Sequence, residues 1–184
     1  MHRILLALTL VIFAFPAFAT EAGWALLREG GHVVLLRHAY ALGTSDPPGF
    51  DIEDCSTQRN LSERGKLQAR KMGALFAARG APVEQVYSSR LCRALQTARL
   101  AFQYEEVEEF PPLDPLPADA QAAAEARAAT MELIRSYKGW DNIVLVTDLE
   151  NIKALTGQPA REGEALIIRP NDDELRVLGR IIFN

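Results

Sequence analysis

Three short polar blocks, each directly after an apolar run, hold the side chains best suited to chemistry: Arg37-His38, Ser88-Ser89 with Arg93, and Thr147-Asp148. In the first, a histidine beside an arginine closes the run His32-Val33-Val34-Leu35-Leu36 and opens a long polar stretch. An imidazole nitrogen can attack phosphorus and carry the phosphoryl group as an N–P adduct, a form of covalent catalysis. A neighbouring guanidinium offers paired donors to the phosphoryl oxygens. The dipeptide alone also fits an incidental surface pair, so the other blocks must decide. His32, at the opposite end of the run, reads as structural.

The elements that position these blocks follow from periodicity and punctuation. His32 to Leu36 is an apolar, β-branched run entered through Gly30-Gly31, which predicts a buried strand. Tyr40 to Asn60, rich in Gly, Pro, Asp and Ser, reads as a long loop of the kind that usually carries function. Ser62 caps a helix to about Arg79, with Leu67, Met72, Leu75 and Phe76 inward and Gly80 stopping it. Gln85 to Ser88 is a second strand and Arg90 to Phe102 a second helix. Glu105 to Glu109 reads as a solvated charge run, and Phe110 to Pro117 as loop because of its prolines. Ala118 to Tyr137 is an Ala-rich helix, Ile143 to Val146 a third strand, and Asn151 begins a short helix ended by Gly157. Ala165 to Ile168 and Leu175 to Ile182 form a terminal strand pair. This alternation predicts an α/β fold, three-layer, with a mainly parallel central sheet and helices on both faces. Ligands of such sheets bind beyond the carboxyl ends of the strands, so the three blocks are expected to share one pocket.

Taken with Leu35-Leu36-Arg37-His38-Ala39, the segment Val86-Tyr87-Ser88-Ser89-Arg90-Leu91-Cys92-Arg93-Ala94-Leu95-Gln96-Thr97-Ala98 resembles the histidine phosphatase (phosphoglycerate mutase-like) superfamily. There an Arg-His pair ends the first strand, and a strand-Ser-x-x-x-x-Arg-Ala-x-x-Thr segment supplies a second phosphate-binding arginine. Asn60-Leu61-Ser62-Glu63-Arg64-Gly65 is similar to the family's Leu-Ser-x-x-Gly helix start, and Asn142 to Thr147 to its last core strand. The likeness runs from about Val33 to Leu155. It implies a phosphomonoester hydrolase needing neither metal nor organic cofactor, with His38 as nucleophile and Arg37 and Arg93 as phosphate clamps. Arg90, three residues before Arg93, either lines the pocket or lies on the surface. Ala39 stands where the family more often has glycine.

The main departure is Asp148, where the resemblance implies a second histidine that binds the phosphoryl group. A carboxylate beside a phosphoryl dianion is repulsive, the more so when buried. Three readings follow. The enzyme is impaired and persists as a phospho-ligand binder or vestige; or Asp148 stays protonated and serves as an acid; or the pocket is rearranged or shuts without ligand. For the family's general acid the candidates are Glu108, Glu109 and Asp114, with Asp114 ranked first and Asp46, Asp51 and Asp54 as alternatives. The alternative function is a non-catalytic phospho-ligand-binding envelope protein; on either reading the partner is a small phosphorylated molecule.

Composition narrows the setting. The 184 residues are 48% hydrophobic and 24% charged with net charge −4, which gives no global basic surface for nucleic acid or anionic membrane. Residues 1–19 read as a signal peptide: Arg3, the apolar run Ile4 to Phe15, then Ala17-Phe18-Ala19. Residues 20–184 are then a single domain, periplasmic or secreted, with no membrane association after cleavage. In an oxidising compartment the two cysteines, Cys55 and Cys92, are expected to pair, closing a loop of about 37 residues for about 3–4 kcal/mol; two buried free thiols are the alternative. No metal site is expected, because the mature chain offers only His32 and His38 beside them.

Overall fold

The computed structural model describes residues 16–171 and 175–184, with side chains described from Thr20. The leader expected over residues 1–19 lies outside the described residues except for its last four, which open a helix. Among the described residues, no helix is long and apolar enough to cross a membrane.

Among the described residues, six strands form one sheet: β1 (Val33–Arg37), β2 (Val83–Ser88), β3 (Val107–Glu109), β4 (Asn142–Thr147), β5 (Glu164–Pro170) and β6 (Leu175–Ile182). Their spatial order is β3-β2-β4-β1-β5-β6. The first four run parallel to their neighbours, and β5 and β6 add an antiparallel end. Five α-helices among the described residues cover the sheet: α1 (Pro16–Glu29), α2 (Glu63–Ala78), α3 (Cys92–Ala101), α4 (Ala120–Ser136) and α5 (Leu149–Thr156).

The three layers follow from the two-residue period of the central strands. Val34 and Leu36 of β1, with Val144 and Val146 of β4, face a core built with Trp24 and Leu27 of α1, Met72 and Phe76 of α2, and Ala94 and Ala98 of α3. Val33 and Leu35, with Ile143 and Leu145, face the opposite core, completed by Met131 and Ile134 of α4 and Ile152 and Leu155 of α5. Strands buried on both faces read as continuous apolar runs, which is why β1 and β4 are plain in the sequence.

Three expectations need correction. Leu67, expected inward on α2, is 67% exposed, and the buried face is Gly65, Gln68, Ala69, Met72 and Phe76. The helix is amphipathic, but its stripe falls one position later. Val107–Glu109, read as a solvated charge run, pairs in parallel with β2 as the outer strand of the sheet. Its glutamates are exposed at the edge, where charge discourages further pairing. Helix α1, which buries Trp24 and Leu27, went unread because its first four residues fall in the expected leader. The predicted second helix begins at Cys92, two residues later than expected.

Candidate active site

The three polar blocks meet as expected. Arg37 ends β1, Ser88 ends β2 and Thr147 ends β4, so His38, the start of α3 and Asp148 all lie beyond the carboxyl ends of adjacent parallel strands. Hydrogen bonds continue the ladder past the strands: His38 N–H donates to the Thr147 carbonyl at 3.1 Å, and Ser89 N–H to that of Val146 at 2.9 Å.

The smaller residues of the motifs act as fasteners. Thr97 accepts the Ala39 N–H at its hydroxyl (3.0 Å) and donates that hydroxyl to the Arg93 carbonyl (2.7 Å), tying the segment after β1 to α3. Ser62 caps α2 by accepting the Gly65 N–H at 3.0 Å and donates its hydroxyl to the Tyr40 carbonyl at 3.1 Å. A Cβ on Gly65 would sit 2.0 Å from that carbonyl oxygen, so the approach of α2 to the loop after His38 requires glycine. Cys55 and Cys92 are joined by a disulfide with Cα atoms 5.7 Å apart. It fastens the loop after β1 to the first residue of α3, next to Arg93. Gln58 reinforces that join: its side chain donates to the Asp51 and Ile52 carbonyls and accepts the Cys92 N–H, each at 2.9 Å.

His38 is fully buried. Its Nδ1 lies 2.7 Å from the Ala39 carbonyl, which only accepts, so Nδ1 carries a proton and Nε2 is the atom left to face the pocket. Nε2 lies 2.9 Å from Asp148 Oδ1 and 3.2 Å from an Arg59 Nη2. Asp148 uses its other oxygen to pair with Arg93 Nη2. The carboxylate that replaces the expected histidine therefore points straight at the candidate nucleophile and bridges it to the arginine clamp.

The remaining charges follow the same rule. Arg93 Nη1 donates to Asp46 at 2.8 Å, and Asp46 also accepts the Arg59 N–H at 3.0 Å. Arg59 Nη1 donates to Glu162 at 3.0 Å, and Arg37 Nη2 lies 3.8 Å from the same carboxylate. Arg37 Nη1 donates to the Ala160 carbonyl at 2.9 Å. Three guanidiniums thus face three carboxylates around one imidazole. The Nε of each of these arginines is buried without a hydrogen-bond partner, so the cluster is short of acceptors as well as balanced in charge.

These contacts set the ionisation of the pocket. Burial opposes the charge on Asp148, yet the hydrogen bonds and charges of His38 and Arg93 outweigh it and hold the carboxyl well below its ordinary range. That direction runs against the reading in which Asp148 stays protonated. Burial also opposes the Arg93 charge, and Asp148 and Asp46 overcome it. Arg37 is shifted down, by burial first and then by the positive charges of Arg59 and Arg93, against the pull of Glu162 and Asp148.

The other residues singled out from the sequence fall in different places. Asp114 accepts from Arg90 Nε (2.7 Å), the Arg90 N–H (2.7 Å) and the Ser89 hydroxyl (3.1 Å), so its oxygens go to the start of α3 and not to His38. Arg90 also donates to Glu53 at 2.7 Å. Glu108 and Glu109 lie exposed on β3. His32 is buried at the far end of β1. Among the described residues, no group of His, Cys, Asp and Glu is placed to hold a metal ion. Sequence reasoning missed Arg59 and Glu162 and weighed Asp46 only as an acid. Arg59 adjoins the Leu-Ser-x-x-Gly start, the one signal that could have found it; nothing in Arg161-Glu162-Gly163 marks Glu162.

Comparison with known proteins gives the chain its relatives. The family model of the histidine phosphatase superfamily (branch 1) matches residues 33–115, which carry Arg37, His38, Arg59 and Arg93 in order. Over that segment the chain is similar to the histidine phosphatase superfamily. Solved structures share its fold: an alpha-ribazole phosphatase from Shigella flexneri (TM-score 0.60, 17% identity, covering 83% of this chain and 96% of that one); the protein histidine phosphatase SixA complexed with tungstate (0.59, 18%, 82% and 96%); and a mycobacterial glucosyl-3-phosphoglycerate phosphatase (0.60, 18%, 80% and 97%). No curated protein sequence matches the chain. The match covers the first half of the domain, and Asp148 and Glu162 lie beyond it.

Proposed function

We propose that the chain is a phosphomonoester hydrolase of the histidine phosphatase type, acting through a phosphohistidine on His38 and held to low activity by Asp148. In the working cycle Nε2 forms the N–P bond as the ester P–O bond breaks, and the leaving alkoxide takes a proton from water. Water then attacks the phosphohistidine and releases inorganic phosphate. Arg37, Arg59 and Arg93 bind the phosphoryl oxygens with charge-assisted donors. The solved neighbours are phosphatases by name, which supports a small phosphorylated molecule as the substrate.

The observation that carries this reading is the position of the Asp148 carboxylate, between His38 Nε2 and Arg93. An incoming phosphoryl group needs those same two partners. The Asp148 oxygen, 2.9 Å from Nε2, stands on the side from which phosphorus would have to approach that nitrogen. Asp148 therefore competes with substrate for the clamp and with phosphorus for the nucleophile. A second reading is a non-catalytic binder of phosphorylated ligands, favoured by the pairing of all three arginines with carboxylates. The disulfide supports placing the domain in the periplasm or outside the cell, exported by the leader proposed for residues 1–19.

The test is turnover of an aryl phosphate by purified protein, with Asp148→His and His38→Ala alongside. Weak turnover that rises with Asp148→His and disappears with His38→Ala supports the hydrolase. Phosphate binding with no turnover in either wild type or Asp148→His overturns it in favour of the binder.

A further inference from the structure

At the same end of the sheet as the charged cluster is a cavity of about 320 Å3 with a different character, lined by Phe50, Ile52, Arg90, Pro111, Asp114, Pro115, Pro117 and Ala126. Its walls come from the same end of the sheet as the phosphoryl site. Phe50 and Ile52 belong to the loop after β1, Arg90 to the turn after β2, and the prolines to the segment after β3. The loop wall is held to the clamp at both ends: Asp46, four residues before Phe50, pairs with Arg93, and Gln58 binds the Ile52 carbonyl and the Cys92 N–H. The proline wall is tied to both flanks of the pocket. Asp114 binds Arg90 and Ser89 with its side chain, while its carbonyl accepts from Asn151, three residues after Asp148, at 2.8 Å.

We propose that this cavity is the subsite for the organic group of the substrate, and that the group is apolar and flat, an aromatic ring or its equivalent. The inference rests on the phosphoryl site proposed above. Six of the eight lining residues are apolar, and a volume near 300 Å3 is the lower end of what ligand pockets use, room for a small group. The polar lining residues satisfy each other, since Arg90 Nε and the Asp114 carboxylate are 2.7 Å apart. An alcohol rich in hydroxyls or charge would lose water there without gaining partners. A ring loses little, and the guanidinium of Arg90 gives its π face a favourable neighbour. Three prolines fix the wall before ligand arrives, so little ordering remains to be done on binding. This assigns Arg90 and Asp114 to specificity, which accounts for an arginine three residues before the clamp and for a carboxylate that does not reach His38.

The experiment compares equilibrium binding of phenylphosphonate and methylphosphonate, which share a headgroup and are not hydrolysed, to Asp148→Asn, where the clamp is free. Phenylphosphonate is expected to bind about tenfold more tightly, from ring burial. Adding Ile52→Ala should reduce that preference several-fold, and adding Ala126→Phe, which fills the cavity, should remove it. Methylphosphonate affinity should stay unchanged in both, and that control also reports an intact fold. Equal binding of the two phosphonates, or a preference that survives Ala126→Phe, overturns the subsite while leaving the phosphoryl site standing. Binding of neither overturns the phosphoryl site, and the subsite with it.

Discussion

The two halves of the domain make opposite contributions to one pocket. From β1 through α3 come the imidazole and all three guanidiniums: Arg37, His38, Arg59 and Arg93. The segment after β4 and the loop before β5 return two carboxylates, Asp148 and Glu162, which settle on those cations. The first half also supplies Asp46, so the neutralisation is shared, but of the three carboxylates only Asp148, from the second half, contacts His38. A cluster of cations, proposed to bind the phosphoryl group, and the anions that neutralise it are thus built into one chain. The family model matches the half that makes the site and stops before the half that occupies it. Similarity to the superfamily and catalytic power are for this reason separate questions, since the matched segment does not include Asp148 or Glu162.

Replacing the occupant should break this contrast most sharply. Asp148→His, which removes a competing anion and restores a donor to the phosphoryl oxygens, should raise aryl phosphate turnover by about 10²–10³; steady-state assay checks this. Reducing the Cys55–Cys92 disulfide removes the covalent join between the two cationic segments and should lower stability by about 3–4 kcal/mol, read from denaturant unfolding with and without thiol. Glu162→Gln should sharpen the comparison without reaching the nucleophile. It releases Arg59 and Arg37 from their shared anion and should tighten phosphate binding several-fold, measured by calorimetry.

The smallest effect is on pH dependence. The Asp148 carboxyl sits below its ordinary range, so its contribution to stability is fully present above that range and is lost as pH falls through the folded value. At neutral pH Asp148→Asn should cost about 1–3 kcal/mol, and the gap between variant and wild type should narrow as the pH drops below about 4. Thermal melts across pH 3 to 7 check the sign. A gap that widens on acidification would mean that Asp148 is protonated in the fold.

Much of this arrangement was legible before the structure, and its limits are physical. Strands β1 and β4 announce themselves because burial on both faces leaves uninterrupted apolar runs, and the blocks that follow them are then placed by topology alone. Strand β3 was hidden because an edge strand needs only one apolar contact, Val107, and carries glutamates by necessity. Among site residues, His38 and Arg93 sit in dense motifs whose small members, Thr97, Ser62 and Gly65, fasten the backbone. Glu162 has no such frame. It reaches the site because the Gly163 N–H binds the Arg37 and His38 carbonyls, a contact across more than a hundred residues that no local pattern encodes. Asp148 was visible as an anomaly, but its direction was not: a carboxylate turned to solvent and one turned to His38 have the same sequence.

The central claim is that the Asp148 carboxylate holds the place of the phosphoryl group. Equilibrium binding of inorganic phosphate to wild type and to Asp148→Asn at neutral pH tests it most directly, because it requires no turnover and no knowledge of the natural substrate. The account predicts that Asn binds phosphate at least about tenfold more tightly, since it removes a buried competing charge. Equal affinity, or tighter binding by wild type, would contradict it and show that phosphate enters this pocket without displacing Asp148.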